Sequence, residues 1–159
     1  MKFKKVAVGG TFDYMHDGHI AILSKAFEFG ERVAVGITAG EIELKKDSAG
    51  IQPLEVRMKA LLWQLRERGW LERAEVSVIS DPFGPALVDR ELQAIVVSPE
   101  TRARAEELNK LRAHRGLATL HIVEIPFVLA EDGTPISSIR IRYGEIDAHG
   151  KLKRSSPPG

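Results

Sequence analysis

Along the chain, short apolar runs alternate with longer segments whose apolar residues recur every three or four positions. Val6-Ala7-Val8 runs into Gly9-Gly10, the pattern of a buried parallel strand that meets a turn. Ile20, Leu23, Ala26 and Phe27 then mark a helix, with Gly30 as its C-terminal cap. Residues 33–37 read as a second strand, and a polar loop carrying Lys45 and Lys46 follows. Pro53 opens another helix, striped by Val56, Met58, Ala60, Leu61, Leu62 and Leu65, with Gly69 near its end. Residues 76–79 and 94–97 predict strands three and four. Residues 100–115 predict a charged helix ending at Gly116, and residues 120–125 a fifth strand. Such alternation predicts an α/β protein: a Rossmann-like, doubly wound, parallel five-stranded sheet in a single domain, with ligands at the carboxyl ends of the strands.

Composition narrows the partners. The 159 residues fit one domain, read as residues 1–150, and residues 151–159, with three basic residues, two Ser and two Pro, read as a disordered tail. With 23 Lys and Arg against 22 Asp and Glu, the net charge of +1 provides no general field for nucleic acid or anionic lipid. Neither nucleic acid nor membrane is therefore expected as a partner, and anion binding must be local. The absence of Cys excludes disulfides, thiolate metal sites and cysteine nucleophiles. No apolar stretch of signal length follows Met1-Lys2-Phe3-Lys4-Lys5, so a cytoplasmic protein is expected. Monomer and small homo-oligomer both stay open.

The richest chemistry follows the first strand: Gly9-Gly10-Thr11-Phe12-Asp13-Tyr14-Met15-His16-Asp17-Gly18-His19. Glycines admit close backbone approach, Thr11 offers a hydroxyl, and a helix N-terminus supplies unpaired N–H groups and a positive dipole. His16 and His19, three apart, come to one side of a helical turn. Asp17 as a simple helix cap would explain one histidine but not the whole grouping. His114, His121 and His149 stand apart and read as incidental. A zinc site is not expected, because H-x-x-H lacks the spacing of a metalloprotease helix and no third ligand stands out.

A second grouping, Ile136-Ser137-Ser138-Ile139-Arg140-Ile141-Arg142, lies near the other end. Ser137 or Ser138 can cap a short helix whose first N–H groups face an anion. Arg140 and Arg142 diverge by about 200° on a helix, so one of them at most enters a shared cleft.

From Gly10 to His19 the chain resembles the H-x-G-H nucleotidylyltransferases, which carry G-T-F-D followed by H-x-G-H. The resemblance implies an ATP site using Gly9, Gly10, Thr11, Phe12, His16, Gly18 and His19. It also aligns residues 136–142 with the motif I-S-S-T-x-x-R, whose arginine falls on Arg142, so Ser137, Ser138 and Arg142 are implied to clamp the outer phosphates. Ile139 departs from the usual Thr or Ser. Ser98-Pro99-Glu100-Thr101, Asn109, Arg112, Ala130-Glu131-Asp132-Gly133 and Gly144-Glu145-Ile146-Asp147 resemble the archaeal and eukaryotic branch of the phosphopantetheine adenylyltransferases. That branch implies transfer of the adenylyl group of ATP to 4′-phosphopantetheine, giving dephospho-coenzyme A and pyrophosphate. It further implies Thr11, Asp13, Lys45, Lys46, Glu100, Asn109 and Arg112 as substrate contacts, and His19, Lys45 and Arg142 as the catalytic groups. Mg²⁺ would arrive with ATP and pyrophosphate rather than on a dedicated set of protein ligands. Acceptors such as nicotinamide mononucleotide, flavin mononucleotide or glycerol phosphate, and a catalytically weak nucleotide sensor, are the competing readings.

Overall fold

The computed structural model describes residues 2–39 and 50–153. Five parallel strands form one sheet in the order β3-β2-β1-β4-β5: β1 (Phe3–Gly10), β2 (Gly30–Thr38), β3 (Ala74–Ile79), β4 (Ala94–Val97) and β5 (His121–Glu124). The order reverses at β1, which pairs with β2 on one side and β4 on the other, for instance through Val6 to Val33 and to Ala94. A crevice opens where the connections diverge, above the carboxyl ends of β1 and β4. The predicted α/β architecture is the one found.

Strand residues alternate sharply in size, and the two faces differ accordingly. Val6, Val8, Val33, Val35 and Ile37 pack with α1 (Asp17–Phe29) and α2 (Leu54–Glu67) through Leu23, Ala26, Phe27, Leu61 and Leu65. The opposite face carries Ala7, Ala34 and Ile95 beneath Leu108 of α3 (Arg102–His114) and the 3-10 turn at residues 84–87. Large side chains close the first face. Small ones leave space on the second.

Several boundaries shift from the sequence reading. β1 continues through Gly9 and Gly10, because both keep pairing with Gly36 and Ile37 of β2. Gly30 follows α1 directly at φ −109° and starts β2, rather than forming a left-handed cap. Gly69 and Gly116, at φ +72° and +73°, do take the left-handed region that ends helices. Residues 151–153, placed in the tail by composition, are instead tied back: Leu152 bridges Ile146 and donates to Glu131, and Lys153 N–H donates to Glu145. Backbone pairing there outweighs the polar composition. None of the helices among the described residues is long and apolar enough to cross a membrane.

Candidate active site

Between β1 and α1 the chain turns sharply at Phe12 and Tyr14, both non-glycine residues at positive φ, 53° and 45°. The two glycines ahead of the turn belong to the strand. Their value is space: a Cβ on Gly10 would meet no atom of the described residues beyond its chain neighbours closer than 3.9 Å, so the backbone lies open to a ligand. Thr11 receives a hydrogen bond at 3.2 Å from the Thr38 hydroxyl at the end of β2.

His16, not Asp17, caps α1. Gly18 N–H donates to His16 Nδ1 at 3.0 Å, and His16 N–H donates to His19 Nδ1 at 3.2 Å, a capping box built from imidazoles. The rings stack with centroids 3.7 Å apart. A Cβ at Gly18 would stand 2.8 Å from His16 Cε1, so only glycine admits this arrangement. Because each Nδ1 accepts a hydrogen bond, each neutral ring carries its proton on Nε2. Burial pushes the His16 pKa down to about 4, Asp17 opposing, and keeps the ring neutral at pH 7.

The expected supply of unpaired helix N–H groups is smaller than the sequence implies. Asp17 N–H donates to Ala148 O at 3.0 Å and Gly18 N–H is taken by His16, so the imidazoles stand in front of the helix end as its donors. Asp17 is instead paired with His149 at 2.9 Å, which gives that histidine a role in holding the C-terminal segment against α1.

Facing the turn is a short helix, α4 (Ser138–Arg142), capped by the Ser137 hydroxyl, which accepts from Arg140 N–H at 3.2 Å. Ser138 Oγ donates to Asp13 O at 2.5 Å and so locks the two groupings together. Both serines line the cleft, with their hydroxyls engaged in this framework. The arginines diverge as the helical geometry requires. Arg140 leaves the cleft for Asp132, Glu145 and Thr134, and hydrogen bonds from Thr134 and Arg140 lower the Asp132 carboxyl to about 2. Arg142 lines the cleft, 3.6 Å from Asp13 Oδ2. That buried carboxylate oxygen has no hydrogen-bond donor among the described residues, while Oδ1 accepts from Gln52 N–H at 2.9 Å.

The cleft encloses about 260 Å³ and gathers Gly9, Gly10, Thr11, Phe12, Asp13, His16, Gly18, His19, Glu100, Ser137, Ser138, Ile139 and Arg142. Asn109 and Arg112 are not among its walls. The Asn109 side chain pairs with both backbone groups of Leu120, and Arg112, 1% exposed, donates to the carbonyls of Ala86, Asp89 and Ala118. Both brace the scaffold, and the expectation of substrate contact is corrected for them. Lys45 and Lys46 lie outside the described residues. Ser98 and Thr101, hydrogen-bonded to each other after β4, join the walls unforeseen as site residues. Their position at the carboxyl end of a strand beside the switch point was the available signal.

A second cavity of about 120 Å³ opens on the other face of the sheet, where Ala7, Ala34 and Gly36 leave room beneath Phe83, Ala86 and Leu108. Gly9, Gly10 and Thr101 border both cavities.

Over residues 7–144 the sequence matches the cytidylyltransferase-like family. The chain belongs to that family. It is 47% identical over 146 residues to the phosphopantetheine adenylyltransferase of Methanopyrus kandleri, covering 92% of each protein. The Methanosarcina barkeri protein of the same name is 46% identical, over 95% of this chain and 94% of that one. Among solved structures, a protein of unknown function from Archaeoglobus fulgidus superposes with a TM-score of 0.69 at 29% identity, over 76% of this chain and 88% of the other. Members of the family thus match the chain across both groupings and the sheet between them.

Proposed function

We propose that the chain transfers the adenylyl group of ATP to 4′-phosphopantetheine, producing dephospho-coenzyme A and pyrophosphate. The observation that carries this reading is the meeting of two unlike cavities at Gly9, Gly10 and Thr101. One is walled by imidazoles and Arg142 and suits a triphosphate. The other has no histidine among its described walls, which include Ala7, Ala34, Ala86, Ile95 and Leu108, and it suits the uncharged arm of the acceptor, so the acceptor phosphate and the α-phosphorus meet at the glycine pair. Similarity to the archaeal enzymes across more than nine-tenths of the chain supports the same pair of substrates.

A phosphate monoester, with a second pKa of about 6, is largely dianionic at neutral pH and needs no general base. One of its oxygens bonds to the α-phosphorus as the bond from that phosphorus to the bridging oxygen of the β-phosphate breaks, and pyrophosphate leaves with the electron pair. The protein's task is alignment and charge neutralisation. His19 Nε2–H donates to the phosphate oxygens as charge develops, His16 Nε2–H supports the triphosphate, and Arg142 neutralises the outer phosphates. For Lys45 we retain the acceptor phosphate as partner, on the resemblance alone. No group of three or more His, Cys, Asp or Glu among the described residues could hold a metal ion, and Asp13 already faces Arg142. Mg²⁺ delivered on the phosphates would offset their charge. Dependence on ATP fits a cytoplasmic setting.

The test offers purified protein ATP or CTP with Mg²⁺ and a panel of 4′-phosphopantetheine, nicotinamide mononucleotide, flavin mononucleotide and glycerol phosphate, recording pyrophosphate release. ATP with 4′-phosphopantetheine is expected to be the preferred pair. Preference for CTP or for another acceptor overturns the reading.

A further inference from the structure

Arg57, on α2, is 0% exposed and takes no part in the chemistry above. Its Nε donates to Gln52 O at 2.8 Å, and its terminal nitrogen donates to Thr11 O at 2.9 Å and Thr38 O at 2.8 Å. Those carbonyls belong to the phosphate turn, the end of β2 and the segment leading into α2. Burial lowers the guanidinium pKa and Asp13 acts against that effect. A charge is expensive to bury, so an apolar residue would serve a purely space-filling purpose better. The planar fork is suited to something else, the simultaneous hold of several acceptors in fixed directions, which an ammonium group cannot reproduce.

The turn it grips is strained. Left-handed backbone at a non-glycine residue persists only where its surroundings over-determine it. Phe12 and Tyr14 are both in that region. Arg57 holds the carbonyl just before Phe12. Gln52, itself held by Arg57 through its carbonyl, accepts from Tyr14 N–H at 3.0 Å and donates its own N–H to Asp13 at 2.9 Å. Hydrogen bonds beside both strained residues therefore lead back to one guanidinium, in addition to the Ser138 hydroxyl on Asp13 O. We infer that Arg57 is the positioning residue of the phosphate turn, keeping Thr11 to Tyr14 in the conformation that sets the two histidines opposite Arg142.

The catalytic part of the test rests on the adenylyl-transfer reading, and the exchange part does not. Arg57→Lys is compared with Leu61→Ala, a change of another 0%-exposed residue on the same helix that leaves the turn's ties intact. Well below the melting temperature, Arg57→Lys is expected to lower kcat by about 10- to 100-fold, the scale of a misplaced reacting group, with a change in the ATP dissociation constant no larger than about fivefold. In ligand-free protein, deuterium uptake by peptides spanning residues 10–20 should rise in Arg57→Lys and not in Leu61→Ala. If Arg57→Lys does not fold, Arg57→Gln carries the same measurements, and failure of both to fold overturns the inference by making Arg57 a requirement of the whole fold. Normal turnover with normal uptake overturns it as well, as does an equal response in Leu61→Ala. A wild-type protein that makes no dephospho-coenzyme A defeats the reading of the reaction, while the exchange result still decides the role of Arg57.

Discussion

Two arginines, Arg57 at 0% exposure and Arg112 at 1%, lie on opposite faces of the sheet and turn their donors toward backbone carbonyls. A carboxylate among the described residues acts on each, Asp13 on the first and Asp89 on the second, and burial lowers the pKa of both arginines. Their acceptors differ. Arg57 gathers the carbonyls around the phosphate turn. Arg112 gathers those of the 84–89 segment and of the approach to β5, beside an ion pair between Lys5 and Asp89 at 2.7 Å. Although burial acts against it, the Asp89 carboxyl is held below its usual range by hydrogen bonds from Lys5 and the Glu91 N–H. Identical chemistry thus secures a reactive turn on one face and a scaffold on the other. The consequence of losing either depends on whose carbonyls are released.

The largest expected effect on stability is on the scaffold side. Arg112→Met removes the donor from three part-buried carbonyls and should lower the free energy of unfolding by about 3 kcal/mol, while the kcat of the remaining folded protein stays near normal. Denaturant unfolding and turnover on one preparation check this, and a large fall in kcat without a fall in stability would erase the contrast with Arg57. On the reactive side, His19→Ala should cut kcat by about a hundred- to a thousand-fold, roughly 3 kcal/mol, with folding preserved. Near-normal turnover in the folded variant would remove His19 from the transition state.

Next comes pH. The folded pKa of His16, lowered by burial to about 4, lies under its unfolded value near 6.5. Between those values the unfolded chain binds more protons, so this contribution is complete above about pH 6.5 and is lost as pH falls toward about 4, on the order of 2 to 3 kcal/mol. Wild type should lose stability relative to His16→Asn as pH falls from about 7 toward about 4, because Asn can cap the helix without titrating. Parallel pH dependence in both proteins would contradict it. The smallest effect concerns Ile139, half exposed in the first turn of α4 and on the wall of the cleft. Ile139→Thr adds a hydroxyl within the phosphate region and should tighten ATP binding by about tenfold, leaving AMP unchanged. Equal effects on ATP and AMP by calorimetry would make residue 139 a packing position.

How much of this was legible in the sequence varies with range. Apolar runs and helical stripes announced the sheet, because strands buried on two faces read as short continuous apolar runs and helices buried on one face read as a stripe. Element ends were less visible: β1 and β2 extend through Gly9, Gly10 and Thr38, where pairing across the sheet outweighs local composition. The turn after β1, both histidines and Arg142, which meet in one cleft, stood out in the sequence because they lie in short segments. Arg112 and Asn109 were misassigned to substrate, and Arg57 was passed over, for one reason. A polar residue on a helix has the same local signature whether its partners are a ligand, a distant carbonyl or water.

The sequence by itself determined the α/β class, the family and the short reactive segments, since each depends on residues close together in the chain. Only the tertiary structure decided that His16 rather than Asp17 caps α1 and that small residues on one sheet face open a second cavity. It alone brought Thr11, Thr38 and Gln52 to one buried guanidinium. Each of these rests on contacts between separate segments or on which face of an element meets a neighbour. Hydrogen-bond directions and excluded volume choose among such partners only after the chain has folded.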